Sequence, residues 1–235
     1  MVNFHIEATS KCTLECPLCD RTWFYNTFKK RLLHEINIDD VVNFVGNDKR
    51  VHLCGNNGDP IYHSNFLELC RRLKQNNSTL RITTNGSAKK IDWWKKLSTL
   101  LDENDKIEYS IDGLEDTNHV YRKNSNWKQI MEGVKSMRVS KASMTWKFIV
   151  FKHNQHQIKE AEDLSKQLGF DHFRLINSHR WNDGQELMPD SQYVNTLFDE
   201  LKQSLTSNNN NNFGIRPKCM ENNLPTNGLY IDAEG

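Results

Sequence analysis

The sequence predicts an α/β protein built as a partial, TIM-like (β/α)6 barrel, with an open parallel sheet and a short C-terminal extension. Three observations carry this reading. Short apolar-rich runs alternate with helix-period runs for most of the 235 residues, the pattern of repeated β-α units around a parallel sheet. Six units are found, two short of a closed eight-stranded barrel. The length suits one sizeable core rather than several.

In chain order, strands are expected at residues 2–7, 50–54, 80–84, 106–111, 143–151 and 172–177. Each is short and apolar-rich, as internal parallel strands are. Between them, Phe66, Leu69, Cys70 and Leu73 share one helical face, as do Ile130, Val134 and Met137, and then Ile158, Ala161, Leu164 and Leu168. Gly169 stops the last of these. After the breaker Pro189 a final helix is expected over about 190–205. The asparagine-rich run 207–212 reads as a link, which divides the chain into a core at 1–206 and a tail at 213–235. An active site in such a barrel lies at the carboxyl ends of the strands.

The 31 basic and 30 acidic side chains nearly cancel, so no global field draws the protein to nucleic acid, and no nucleic-acid partner is expected. The stretch from Lys89 through Trp93 and Trp94 to Lys96 interleaves cations with aromatics. It is read as a helix with a solvated lysine face and buried tryptophans rather than as a nucleic-acid surface. No segment approaches the apolar length of a bilayer span, and the N-terminus lacks a basic region followed by an apolar stretch. A soluble, cytoplasmic protein without membrane association is therefore expected, and Asn76-Asn77-Ser78 is given no weight as a glycosylation acceptor.

Six cysteines in such a chain fit reduced thiols or a metal centre better than a disulfide framework. Cys12, Cys16 and Cys19 fall within eight residues on the loop after the first strand. Three thiolates leave one iron of a [4Fe–4S] cube without a protein ligand, open to a cofactor. Two other readings compete: a zinc site completed by His5 or His34, and a chance grouping of buried thiols. Only Cys16 and Cys19 have Cys-x-x-Cys spacing, and no second such pair exists to build a structural zinc site. Cys54 and Cys70 fall on expected core faces and receive no role.

Cys-x3-Cys-x2-Cys after the first strand resembles the signature of the radical SAM superfamily, whose core is a partial (β/α)6 barrel. The resemblance extends over about residues 3–177. It implies two cofactors, a [4Fe–4S] cluster held by Cys12, Cys16 and Cys19, and S-adenosylmethionine (SAM) chelating the open iron. Reductive cleavage of SAM to a 5′-deoxyadenosyl radical and hydrogen abstraction from a substrate would follow. Gly55-Asn56-Asn57-Gly58-Asp59-Pro60 resembles the family's Gly-Gly-Glu-Pro motif for the SAM amino group, with Asn57 for a glycine and Asp59 for the glutamate. Gly58 and Asp59 are the implied contacts. Ser110-Ile111-Asp112-Gly113 and Tyr121-Arg122 resemble a subgroup in which the serine contacts the ribose and the arginine the SAM carboxylate. A hydroxyl for a sugar and a guanidinium for a carboxylate are physically sensible pairings. Thr83-Thr84-Asn85-Gly86 resembles the family's Thr-Asn-Gly. Leu18 stands where many relatives have an aromatic near adenine, and Leu175 where relatives line the adenine pocket. The implied SAM contacts are thus Leu18, Gly58, Asp59, Asn85, Ser110, Asp112, Arg122 and Leu175. Read without the family, the Gly/Asn/Pro stretch is a turn, Asn85-Gly86 an ordinary turn, Arg122 a surface ion-pair partner and Leu175 sheet core.

Residues 219–235 resemble the opening of a SPASM or Twitch domain, which holds auxiliary clusters, yet Cys219 is the one cysteine there. A truncated or vestigial appendage is expected. Partners would be an external electron donor, flavodoxin- or ferredoxin-like, and a peptide or small-molecule substrate. No catalytic acid or base can be named. Asp112, His119, His153, His156, His179 and Arg180 are polar residues near strand ends, and Glu7 and Lys152 are similar cases. The alternative from another class is a non-catalytic iron–sulfur or zinc-binding scaffold or regulatory protein.

Overall fold

A computed structural model describes residues 3–176, 178 and 184–193, with the backbone of 228–231. The first six strands are β1 (Asn3–Glu7), β2 (Arg50–Cys54), β3 (Thr79–Thr84), β4 (Lys106–Ser110), β5 (Ser143–Ile149) and β6 (His172–Ile176). They pair in parallel and in chain order, as the alternation of strands and helices predicts. A seventh strand, β7 (Gly228–Ile231), pairs in parallel with β1, so the sheet order is β6-β5-β4-β3-β2-β1-β7. The sequence reading contains no such strand. The helix expected over 190–205 falls, beyond 193, outside the described residues.

The connecting helices cover the outer face. They are α1 (Asp20–Phe28), α2 (Ile38–Val45), α3 (Phe66–Gln75), α4 (Ile91–Leu100), α5 (Asn118–Tyr121), α6 (Trp127–Met137) and α7 (Ile158–Gln167). Local chemistry sets their ends. Asn37 caps α2 by accepting from Asp39 N at 2.8 Å, and Asn126 caps α6 by accepting from Gln129 N at 3.0 Å. Past α7, Gly169 takes a left-handed φ of 81°, and Phe170 N closes back on Ser165 O at 3.0 Å.

Helix α4 follows its expected reading in part: Trp94 and Leu97 are buried and Lys95 and Lys96 face solvent, whereas Trp93 is half-buried and stacks on Phe66. Trp94 Nε1 donates to Ala88 O at 3.1 Å, and α6 approaches so closely that a Cβ on Gly133 would stand 2.8 Å from the Trp94 ring.

The apolar-rich strands divide their side chains between two faces. Phe4, Ile6, Val51, Leu53, Leu80, Ile82, Ile107 and Tyr109 are buried in the main core. The residues alternating with them on β1 to β4 are His5, Glu7, His52, Cys54, Arg81, Thr83, Glu108 and Ser110. Because strand side chains alternate with period two, one face is apolar and packs on helices while the other is polar and lines the concave side.

Candidate active site

The cysteine loop runs from the end of β1 into α1, where Cys19 is the N-cap. Its shape is fixed by its own backbone and by two cross-braces. Cys19 N donates to Cys16 O at 3.1 Å, the buried Arg21 guanidinium donates to Leu14 O, and Glu15 N donates to Lys123 O at 3.1 Å. An apolar shell of Leu14, Leu18, Tyr121 and Phe151 wraps Cys16, with Cys12, Cys19, Ile149 and Leu187 packed against it. Cys12 Sγ accepts from Leu14 N at 3.4 Å and Asn85 Nδ2 at 3.6 Å, and Cys19 Sγ lies 3.8 Å from Asn56 O. Burial pushes the Cys12 thiol up to about 12 and raises Cys16 as well. These thiols stay protonated until a metal displaces the proton.

The spacing of the sulfurs discriminates between the readings. Tetrahedral zinc with Zn–S near 2.3 Å holds its sulfurs about 3.8 Å apart. Among the described residues, the one group of three metal-ligating side chains whose ligand atoms lie within 4.8 Å of one another is His5, His52 and Cys54, not the three cysteines of the loop. Three thiols set wider apart, Cys16 buried and Cys12 and Cys19 half-buried against an apolar shell, fit a cube with one iron per thiolate. Of the expected fourth zinc ligands, His5 sits against Cys54 and His34 is exposed.

The Gly55–Pro60 loop closes over the end of β1. Glu7 accepts from Asn56 Nδ2 at 2.8 Å and Asn57 N at 3.2 Å. A Cβ on Gly58 would stand 1.9 Å from Thr9 O, so only glycine fits beneath the cysteine loop. Asp59 is buried and its oxygens face the chain itself. It accepts from Thr84 Oγ1 at 2.9 Å, Ile61 N at 3.2 Å, and Asn85 N and Nδ2 at 2.6 Å each. Burial nevertheless pushes its carboxyl up to about 6. Asp59 therefore braces the β2 loop against the end of β3, and a ligand ammonium would have to share oxygens already engaged. Asn85 joins this brace to Cys12 through the same amide.

At the end of β4, Asp112 is fully buried; it accepts from Ile149 N at 2.7 Å and from Arg122 Nε at 2.6 Å. Burial raises its carboxyl despite the guanidinium. Arg122, 16% exposed, also lies against Cys16. Its remaining donors are available to a carboxylate beside the cysteines. Ser110 is half-buried at the tip of β4. Leu18 belongs to the shell around the cysteines, whereas Leu175 lies in register with Phe148 and packs on the main core. His153 stacks on Phe151 at 5.5 Å, and His179 and Arg180 lie outside the described residues.

The concave face holds groups the sequence reading missed. His52 Nε2 is 2.8 Å from Thr83 Oγ1, which donates to Glu108 Oε2 at 2.9 Å. Arg81 meets Glu108 at 2.6 Å, and Lys147 lies 3.6 Å from the same carboxylate. Burial works against ionisation of Glu108, but Lys147 and Arg81 outweigh it and bring the carboxyl down to about 2. Cys54, assigned to plain core, has its Sγ 2.7 Å from His5 Nε2. Alternation along β1 and β2 was the signal that could have revealed this cluster.

The family model described as Radical SAM superfamily matches residues 6–173. The chain belongs to the radical SAM superfamily. Its members are enzymes, and membership carries a [4Fe–4S] cluster and SAM as cofactors. The radical SAM chain is 25% identical over 197 residues to the tungsten-containing aldehyde ferredoxin oxidoreductase cofactor-modifying protein of Pyrococcus furiosus, covering 75% of this chain and 51% of that protein. It thus spans about half the length of this curated relative. Among solved structures, Streptococcus suis SuiB bound to S-adenosylmethionine superposes with a TM-score of 0.69 at 13% identity, covering 100% of this chain and 59% of that one. Native anSMEcpe with bound AdoMet and the Kp18Cys peptide superposes with a TM-score of 0.60 at 17% identity, covering 88% and 62%. These likenesses show the shared fold. Among the described residues no helix is long and apolar enough to cross a membrane.

Proposed function

We propose that this chain is a SAM-cleaving enzyme whose cluster is held by Cys12, Cys16 and Cys19 and which abstracts hydrogen from a peptide or small-molecule substrate. The carrying observation is the convergence of three widely set thiols, the Arg122–Asp112 pair and the Gly58 turn at the carboxyl end of the sheet. Bound there, cluster and SAM supply one-electron reductive cleavage of the sulfonium and the hydrogen abstraction that follows. The chain's own part is holding, orienting and shielding. Leu14, Leu18, Tyr121 and Phe151 exclude water from the cysteines. Arg122 offers a guanidinium to the SAM carboxylate while Asp112 fixes its angle, Ser110 offers a hydroxyl to the ribose, and the Gly58 backbone faces the amino group. Asn85 orients Cys12, and Asp59 orients Asn85. The core packing of Leu175 supports a structural role at least as well as an adenine contact.

A peptide substrate is supported by the peptide bound in anSMEcpe, and a small metabolite by the cofactor-modifying relative. Electrons would come from an external flavodoxin- or ferredoxin-like donor. A core at 1–206, a link at 207–212 and a SPASM/Twitch-type tail at 213–235 are consistent with β7 docking on the β1 edge. The test is electron paramagnetic resonance of the anaerobically reconstituted, reduced chain. A signal that changes when SAM is added, is absent in Cys16→Ala and is unresponsive to SAM in Arg122→Met supports the reading. A signal indifferent to SAM in the unaltered chain overturns it.

A further inference from the structure

We propose that His5, His52 and Cys54 form a second metal site on the concave face of the barrel, a His2Cys centre for a divalent zinc ion, separate from the cysteine loop. The three side chains come from neighbouring strands. His5 and His52 are direct partners in the β1–β2 register, and Cys54 lies two residues along β2 on the same face. Their ligand atoms lie within 4.8 Å of one another, close enough for one ion to draw them to its coordination distances by small side-chain adjustments. The two imidazoles meet edge to face with centroids 5.1 Å apart, and Cys54 Sγ approaches His5 Nε2 to 2.7 Å. That is closer than a neutral thiol and an imidazole need to come, and the crowding is relieved if both turn their lone pairs to a shared cation.

A second observation fixes which His52 nitrogen is available. The Thr83 hydroxyl has one proton, and it is donated to Glu108 Oε2 at 2.9 Å. Thr83 can therefore only accept from His52 Nε2, 2.8 Å away, so Nε2 carries the ring proton and Nδ1 keeps its lone pair. An imidazole held in one tautomer by a hydroxyl that is itself anchored on a carboxylate is the outer-shell arrangement of metal-binding histidines. Two imidazoles and one thiolate suit zinc, and three protein ligands leave its fourth position to water or to a donor atom of a substrate. Glu7 sits in register with Cys54, while the nearby cations Arg81, Lys147 and Arg174 are all drawn to Glu108. The inference rests on these side chains and is independent of the SAM reading.

The test is zinc analysis of the full chain after iron–sulfur reconstitution, zinc addition and desalting, followed by X-ray absorption at the zinc edge. One zinc per chain is expected, with one sulfur at about 2.3 Å and two nitrogens at about 2.0 Å. Cys54→Ser should lose the zinc and keep the iron–sulfur chromophore, and Cys70→Ser should keep both. Zinc ligated by three sulfurs places it in the cysteine loop and overturns the proposal. So does zinc no higher than in a buffer control, or zinc retained by Cys54→Ser. The ligand count on the unaltered chain needs no variant, so a Cys54→Ser chain that failed to fold would leave the proposal open to refutation.

Discussion

Arg122→Met isolates the buried ion pair behind the cysteines. Methionine keeps the apolar stem and removes every donor, leaving the fully buried Asp112 with the Ile149 N–H as its hydrogen bond from β5. Removing one partner of a buried pair costs about 3–5 kcal/mol because the survivor is left uncompensated. Protonation sets a ceiling. The carboxyl can instead take a proton, at about 1.4 kcal/mol for each pH unit between its ordinary 3.8 and neutrality, about 4 kcal/mol in all. A loss of about 3 kcal/mol at pH 7 follows, about 1 M in urea midpoint for a slope near the upper end of the usual range. The sign of the pH dependence is fixed. A carboxyl raised in the folded state costs stability above its unfolded value and nothing below it. Burial already raises Asp112, and losing Arg122 raises it further. The gap between wild type and variant therefore opens above the raised folded-state value of Asp112 in the wild type, widens towards pH 7, and closes on acidification below that value. The assay is urea unfolding of the cluster-free, reduced chain followed by fluorescence of the buried Trp94 and Trp146. A loss below about 1 kcal/mol, or a gap that does not change with pH, would refute the assigned role of the pair.

Gly58→Ala forces a Cβ to within 1.9 Å of Thr9 O, so the cysteine loop must shift. The reconstituted variant should lose its iron to a chelator far faster than wild type, measured by decay of the cluster absorbance. Gly133→Ala drives a methyl against the Trp94 ring and should cost about 1–3 kcal/mol of unfolding free energy with cofactor binding unchanged. Glu108→Gln removes a carboxylate held at about 2, a group whose contribution is present above its ordinary 4.5 and is lost as pH falls through the folded value. It should cost ~3 kcal/mol at pH 7 and little more than ~1 kcal/mol at pH 3, read from denaturation at the two pH values.

Much of the fold was legible because it rests on periodicity. Strand β2 begins and ends where expected, and the faces of α3 and α6 bury the residues their 3.6-residue spacing selects. Helix α1 was not legible: among its residues only Arg21 is buried, and Trp23 and Phe28 are exposed, so no apolar stripe marks it. Strand β7 was missed because a four-residue edge strand gives too short a pattern, and its pairing depends on β1, far away in sequence. The cysteines were legible as a candidate site because their spacing is local. The roles of Asp59 and Asp112 were not, since each is defined by partners from other strands: Thr84 and Asn85 for one, Ile149 and Arg122 for the other. The concave-face cluster was hidden for a different reason. Reading β1 and β2 only as apolar-rich strands left unused the alternation that sets His5, His52 and Cys54 on one face.

The most direct measurement of the central claim is 5′-deoxyadenosine formed from SAM and dithionite by the anaerobically reconstituted chain, beside the Cys12→Ala, Cys16→Ala, Cys19→Ala triple variant. Formation by the intact chain and none by the variant is the predicted result. A reconstituted iron–sulfur chromophore that yields no deoxyadenosine, or equal yields from both chains, would contradict the account.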